Sequence, residues 1–174
     1  MVNDPRDARL IKHKDALYVL SQAKLLMLEC KKTNPNESLE NYVGDRTPRS
    51  GRVHASVLIR HNLISRDKYA NTVTYRAFPF EEVALIGIPG DPSAEANFPH
   101  ETKKLLKFDN EYVYVSPVAF QFLQEASHSR PRAFCGKKDS MTSRARRILK
   151  DYGILESDGR LTKRFEIVDH TLVL

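Results

Sequence analysis

The chain lacks any apolar run long enough to cross a membrane. No stretch of its 174 residues approaches the roughly 20 apolar residues that a transmembrane helix needs. The segment Met1–Arg6 has no apolar run behind a basic start, so we expect no secretory signal. These absences predict a protein that is not secreted, has no membrane partner, and resides in the cytoplasm, the nucleoid or the nucleus.

Cysteine and catalytic motifs are scarce too. Cys30 and Cys135 lie far apart without a CxxC pair, which predicts free thiols in a reducing compartment, with a single disulfide as the alternative. The six histidines show no HExxH, HxxxH or zinc-type spacing, and the chain has no P-loop, GxGxxG or GxSxG. We therefore expect no metal, no cofactor and no enzymatic activity.

Positive charge, by contrast, is abundant and unevenly distributed. The chain carries 28 Lys and Arg against 22 Asp and Glu, for a net charge of +6. His128–Lys150 holds eight Lys or Arg and one acid, and Arg46–Arg76 holds seven and one. The rest of the chain is therefore net acidic. Such clustering is typical of a nucleic-acid-binding protein, although a solvated surface is the alternative.

The first half is predicted to be mainly helical. Asp4-Pro5 is typical of a helix start, and apolar residues then recur at helical spacing as far as Cys30. Further leucines lie off this stripe, so the helix is predicted to be buried in the core or, alternatively, in a homodimer. Glu37–Val43 and Arg52–His61 are predicted as shorter helices, and Thr72–Phe78 as an extended segment.

Proline and glycine concentrate between residues 89 and 100, which predicts a linker between two halves, residues 1–88 and 101–174. After it we expect a short helix at Glu101–Lys107 and a strand at Glu111–Val115.

Three elements are predicted toward the end of the chain. Ser116-Pro117 caps a helix that runs to about Ala126. A basic helix begins at Asp139 or Ser140 and ends near Tyr152-Gly153. A β-hairpin then covers Ile154–Val168.

The two halves end alike. Val57-Leu58 followed by Asn62-Leu63-Ile64-Ser65 parallels Ile148-Leu149 followed by Gly153-Ile154-Leu155-Glu156, at an offset of 91 residues. The match is short and gapped, so a duplicated unit and a chance similarity are both open.

The segment Leu149-Lys150-Asp151-Tyr152-Gly153-Ile154-Leu155, with the predicted hairpin after it, resembles winged-helix proteins, a branch of the helix-turn-helix superfamily. In that family a recognition helix ends in such a pattern and a two-stranded wing follows. The resemblance implies an α+β fold of two winged-helix-like halves, or of one winged-helix domain with an N-terminal helical extension. The connection Ser127–Lys138 is longer than the tight turn usual between the two helices.

The basic helix has two chemically different faces. One sector is apolar and is predicted to face the core: Met141, Ala145, Ile148, Leu149 and Tyr152. The opposite sector carries Arg146, Arg147 and Lys150. A major groove admits such a helix, and arginine can bind guanine bidentately there. The helix is therefore the predicted recognition element.

The candidate nucleic-acid-binding residues form two sets. Those of the second half are Lys137, Lys138, Ser140, Thr142, Ser143, Arg144, Arg146, Arg147, Lys150, Arg160, Lys163 and Arg164. Those of the first half, predicted to contact the phosphate backbone, are Arg49, Arg52, Arg60, Arg66 and Lys68.

These features predict a protein that binds double-stranded DNA, as a small transcriptional regulator. A replication initiator or another DNA-processing accessory protein is an alternative of the same class. A protein-interaction module or inhibitor, whose basic helix docks on an acidic partner, is the alternative of a different class. RNA is a third candidate partner, although aromatic residues for base stacking are not evident around the basic helix.

Overall fold

The computed structural model describes residues 4–37, 39, 48–89, 103–128, 140–169 and 171–174. It is a mixed α+β structure, which confirms the predicted class. The chain divides into two compact units. The first unit is built on Asp7–Val83 and includes the C-terminal residues up to Leu174, and the second is built on Ala84–Asp169 and includes Asp4–Arg6. The division thus lies ahead of the predicted linker, of which only Pro89 is described.

The first unit begins with an antiparallel hairpin of β1 (Ala8–His13) and β2 (Ala16–Ser21), where the sequence pattern predicts a helix. The helix prediction is wrong because β2 is an inner strand. Its residues Tyr18, Val19 and Leu20 are all buried, and an apolar run without alternation cannot be told from a buried helix by spacing alone. Lys14, with φ 53°, makes the turn.

The rest of the first unit is helical and then extended. Its elements are α1 (Gln22–Thr33), α2 (Pro48–Arg60), β3 (Ile64–Tyr69), β4 (Thr72–Ala77) and β5 (Glu81–Val83). The predicted third helix and the extended segment after it are confirmed, with α2 starting earlier than expected. The predicted short helix at 37–43 lies almost wholly outside the described residues. The core joins both helices to the sheet through Leu20, Met27, Leu28, Leu58 and Leu63.

The second unit contains the same kinds of element. They are β6 (Leu85–Ile88), β7 (Lys104–Phe108), β8 (Glu111–Val115), α3 (Pro117–His128), α4 (Ser140–Asp151) and β9 (Glu166–Ile167). The predicted strand β8 and the helices α3 and α4 are confirmed. Its core gathers Ile88, Leu106, Val115, Leu123 and Leu149.

Two predictions for the second unit are wrong. The expected helix at 101–107 is strand β7, in which Leu105, Leu106 and Phe108 are buried. The expected hairpin over 154–168 is reduced to one bridge between Leu155 and Leu161, because β9 pairs with β7 in the larger sheet instead. The described part of the second unit therefore has a tight turn, hereafter the 155–161 turn, where the first unit has a long hairpin.

Both units share one sheet topology. The order is β10–β2–β1–β5 in the first unit, where β10 is Leu172–Val173, and β6–β8–β7–β9 in the second. In each sheet a hairpin lies at the centre, a later strand pairs antiparallel with its first strand, and an edge strand pairs parallel with its second. Position for position, the sheets therefore have the same strand directions.

The details of the connections repeat as well. Lys14 and Asp109, 95 residues apart, both make their hairpin turns with positive φ, 53° and 49°. At the same offset, Ser21 and Ser116 both cap the following helix by accepting a backbone N–H with the side-chain oxygen, at 3.4 and 3.2 Å. The repeat is therefore structural and extends well beyond the short sequence similarity.

The second helix of each unit ends in the same way. Leu63 donates its backbone N–H to the carbonyl of Leu58, and Ile154 donates to Leu149, both at 2.9 Å. The residue before each donor, Asn62 or Gly153, has φ of 57° or 71°. This is a Schellman end, which needs a left-handed residue after the last turn. The equivalent residues are 91 apart, the offset seen in the sequence.

The chain passes from the first unit into the second after β5 and returns to the first unit for β10. β5 completes the first sheet, and β6 begins two residues later as the edge strand of the second sheet. In return, β9 completes the second sheet and is followed by β10, the edge strand of the first. The first sheet thus depends on the last residues of the chain, where the N–H of Leu174 donates to the carbonyl of Val19 at 2.8 Å.

We expect Leu174→Ala to destabilise the first unit by about 2 kcal/mol or more, because this side chain is 6% exposed and belongs to the core. Urea unfolding, with hydrogen exchange of the β2 amides, measures the loss. Val173→Ala is the matched control: Val173 is 42% exposed, so its loss should stay within about 0.5 kcal/mol. Equal effects of the two substitutions would contradict a core role for Leu174.

Candidate nucleic-acid interface

One face of α2 is exposed and carries cations. Arg52, Ser56 and Arg60 recur every four residues and are all exposed, and Val53 beside them is 54% exposed. The opposite face is buried, as Leu58 shows with 0% exposure. No acidic residue occurs in this helix. The helix α2 therefore packs in the core through one side and exposes two arginines, a serine hydroxyl and a valine on the other.

The hairpin of β3 and β4, hereafter the wing, follows α2 directly. Its strands pair over six residues, from the buried Ile64 at the base to Tyr69 at the tip, which is 87% exposed. Arg66, Lys68 and Arg76 are exposed along it. Arg66 and Lys68 are two residues apart and lie on one face of the hairpin, whereas Arg76 lies on the other.

The residues after α1 hold the wing in place. The backbone N–H of Tyr75 in β4 donates to the carbonyl of Pro35 at 3.1 Å. Lys31 is fully buried, donates from Nζ to the carbonyl of Glu37, and lies 6.0 Å from the centre of the Tyr75 ring. Burial lowers the pKa of Lys31, because the charged form loses hydration. This lysine therefore serves the packing of the wing and is not a cation available to a ligand.

In the second unit, two of the cations predicted to face a groove lie against the 155–161 turn. The guanidinium of Arg146 packs on Gly159, where an added Cβ would stand 3.1 Å from Nη2. Its Nε is buried and has no hydrogen-bond acceptor among the described residues. Lys150 donates from Nζ to the carbonyl of Ser157 at 2.7 Å. Arg146 precedes the buried Leu149 by three residues, so it lies beside the buried stripe of α4.

Arg147 is the exposed member of that predicted trio. Its side chain is 83% exposed, and its Nε lies 3.9 Å from Asp151, one turn along the helix. An exposed pair at this distance contributes little stability, so Arg147 remains available to an anionic ligand. Tyr152, predicted to face the core, is 45% exposed instead.

The wing-side cations of the second unit are partly engaged. Arg160 Nε lies 3.1 Å from Asp158, and Lys163 Nζ lies 3.8 Å from Asp109. Arg164 is exposed. The structure therefore brings Arg160 and Lys163 to carboxylates of their own unit, in contrast to the cations of the wing in the first unit.

Several predicted site residues fall where the structure says little or nothing. Lys137 and Lys138 lie outside the described residues. The backbone of α4 contains Ser140, Thr142, Ser143 and Arg144, and that of α2 contains Arg49, but their side chains are not described. For these residues the predicted contacts stay predictions.

The structure also adds residues that the sequence reasoning left out. Val53 and Ser56 share the exposed face of α2, and Arg76 and Tyr69 are exposed on the wing. The sequence repeat contains the information for Val53 and Ser56, because aligning Leu58 with Leu149 indicates which side of α2 is buried. Arg76 and Tyr69 could be placed on the wing only from the pairing of β3 with β4.

The described residues do not gather three His, Cys, Asp or Glu side chains that could hold a metal ion. No described helix combines the length and the hydropathy needed to span a membrane. No protein-family model matches the chain, and neither the curated proteins nor the solved structures give a significant match.

We expect Arg146→Ala to lower the free energy of unfolding by about 1 kcal/mol, because it removes the packing against Gly159. Arg147→Ala, which removes an exposed arginine from the next position, should change it by less than about 0.5 kcal/mol. Urea unfolding of the two variants measures the difference. A larger loss for Arg147→Ala would show that the roles are reversed.

Proposed function

We propose that this protein binds double-stranded DNA and acts as a transcriptional regulator, with α2 in the major groove and the wing on the phosphate backbone. The observation that carries the proposal is the set of exposed cations on α2 and the wing. Among the described residues, no carboxylate pairs with Arg60, Arg66, Lys68 or Arg76. Asp67 adds one exposed carboxylate to the wing, so the surface remains net positive, and a phosphate backbone would neutralise it.

The arrangement of the elements supports the same proposal. In each unit a helix pair is followed by an extended turn or hairpin, as in winged-helix proteins, and we propose that both units are variants of that fold. They carry a β-hairpin ahead of the helices, and 14 residues separate Thr33 from Pro48, where a helix-turn-helix has a turn of about 3 or 4. The exposed face of α2 has the right chemistry for a major groove, where arginine binds guanine and apolar groups contact the thymine methyl.

The duplication favours a replication initiator as a second candidate, since initiators also use paired winged helices. Docking on an acidic protein is the candidate of a different class. Docking on an acidic protein differs from the two DNA-binding candidates in its ligand, because only DNA binding requires affinity for duplex of random sequence at low salt.

We expect the combined variant Arg60→Ala, Arg66→Ala, Lys68→Ala to weaken binding of a labelled random duplex and to flatten its salt dependence. Each lost phosphate contact lowers the slope of log K against log salt by about 0.9, so the three together should lower it by about 2 to 3. Fluorescence anisotropy at a series of salt concentrations measures both quantities.

Lys12→Ala is the control, because Lys12 is an exposed lysine on β1 of the same unit, outside α2 and the wing. It should leave the slope nearly unchanged. Absence of duplex binding by the unmodified protein at low salt would overturn the proposal. Equal slopes for the triple variant and the control would remove α2 and the wing as the interface.

A further inference from the structure

The structural repeat aligns α2 with α4 residue by residue. Leu58 corresponds to Leu149, because each accepts the same hydrogen bond at the end of its helix, at 2.9 Å. Both side chains are 0% exposed. The apolar residues that follow, Leu63 and Ile154, also correspond and are buried. At an offset of 91, every position of α4 therefore has a defined counterpart in α2.

The exposed face of α2 has diverged from its counterpart at every position. The equivalent pairs are Arg52 and Ser143, Val53 and Arg144, Ser56 and Arg147, and Arg60 and Asp151. Of the α4 members, Arg147 and Asp151 have described side chains, and both are exposed, at 83% and 68%. The repeat has thus kept apolar residues at these helix ends and has different residues at the positions equivalent to the exposed face of α2.

These differences matter for base recognition. Arginine binds the O6 and N7 atoms of guanine, a carboxylate accepts from the amino group of cytosine, and valine contacts the methyl group of thymine. Two helices that present such groups at different positions favour different base sequences. A symmetric dimer, by contrast, presents the same helix twice and requires a palindromic site.

The first unit offers little apolar surface for a second copy along α1. Leu25, Met27 and Leu28 of α1 are buried within the unit, and Leu26 is 41% exposed. The helix predicted as a dimer element is thus shorter than expected and is packed in its own core. The chain nevertheless contains two helices in equivalent positions, α2 and α4, one in each unit.

We propose that one chain binds a bipartite duplex site with two non-identical halves, α2 selecting one and α4 the other. The residues at positions 52, 53, 56 and 60 specify the first half, and those at 143, 144, 147 and 151 specify the second. This inference rests on the proposed DNA binding.

The test transplants one helix face onto the other. The variant Arg52→Ser, Val53→Arg, Ser56→Arg, Arg60→Asp gives α2 the residues of α4, and selection from random duplexes identifies its preferred site. One half of that site should change to the sequence of the other half, which stays as it is. The reciprocal variant Ser143→Arg, Arg144→Val, Arg147→Ser, Asp151→Arg is the matched control and should change only the opposite half.

Two single variants keep the test decisive where a transplanted chain fails to fold. Arg60→Ala and Arg147→Ala remove exposed side chains. Each should reduce discrimination at one base pair by about 5- to 150-fold, and the two base pairs should lie in different halves. Mass photometry of the unmodified protein on its selected site should show one chain per duplex.

The outcomes separate this inference from the proposal on which it depends. Failure of the unmodified protein to bind any duplex overturns DNA binding itself. Three outcomes overturn the bipartite inference alone, provided that the protein binds duplex. They are a palindromic site, two chains per site, or a selected sequence that the transplants leave unchanged. Loss of discrimination within one half by both single variants overturns it as well.

Discussion

The pairing of inner strands is the constraint on which this structure depends. A buried strand needs hydrogen-bond partners on both sides, because unpaired backbone groups away from water are costly. β2 and β8 each receive one partner from their own hairpin and the other from an edge strand that lies elsewhere in the chain, β10 and β6. The hairpins in turn carry the helices, through the capping residues Ser21 and Ser116. These residues cap α1 and α3, and α2 and α4 pack against those two helices.

The basic side chains of the two units differ in the groups that they contact. In the second unit the cations of α4 and the following turn contact their own surroundings: Lys150 holds the carbonyl of Ser157, and Arg160 lies beside Asp158. In the first unit buried Lys31 lies beside the ring of Tyr75 in the wing, and among the described residues no carboxylate pairs with Arg66, Lys68 or Arg76. The segment with the higher density of basic residues thus devotes part of them to holding its fold. Local charge density overestimates the positive charge that a surface offers to a ligand.

The elements that could be predicted are those with local signals. α3 begins at Pro117, after the cap Ser116, and α4 ends two residues before the left-handed Gly153, because such helix starts and ends depend on a few neighbouring residues. β1, β2 and β7 were expected to be helical, because buried strands and buried helices share the same apolar spacing. For the candidate site, too, local features could be predicted and tertiary contacts could not. The cationic composition of α2 and α4 is evident from the sequence, whereas the packing of Arg146 against Gly159 in the 155–161 turn is a tertiary contact that helical spacing does not show.

The amino-acid sequence by itself determined the α+β class, the positions of the two clusters of positive charge and the repeated end of the second helix, since all three depend on composition or on residues within one or two turns. Tertiary structure alone decided that the repeat spans two whole units, that the first sheet takes its edge strand β10 from beyond the second unit in the chain, and which arginines are exposed. Those properties depend on pairing between residues far apart in sequence, such as Leu172 with Tyr18. No local sequence pattern predicts such a pairing, because the stability of the pairing comes from the completed sheet.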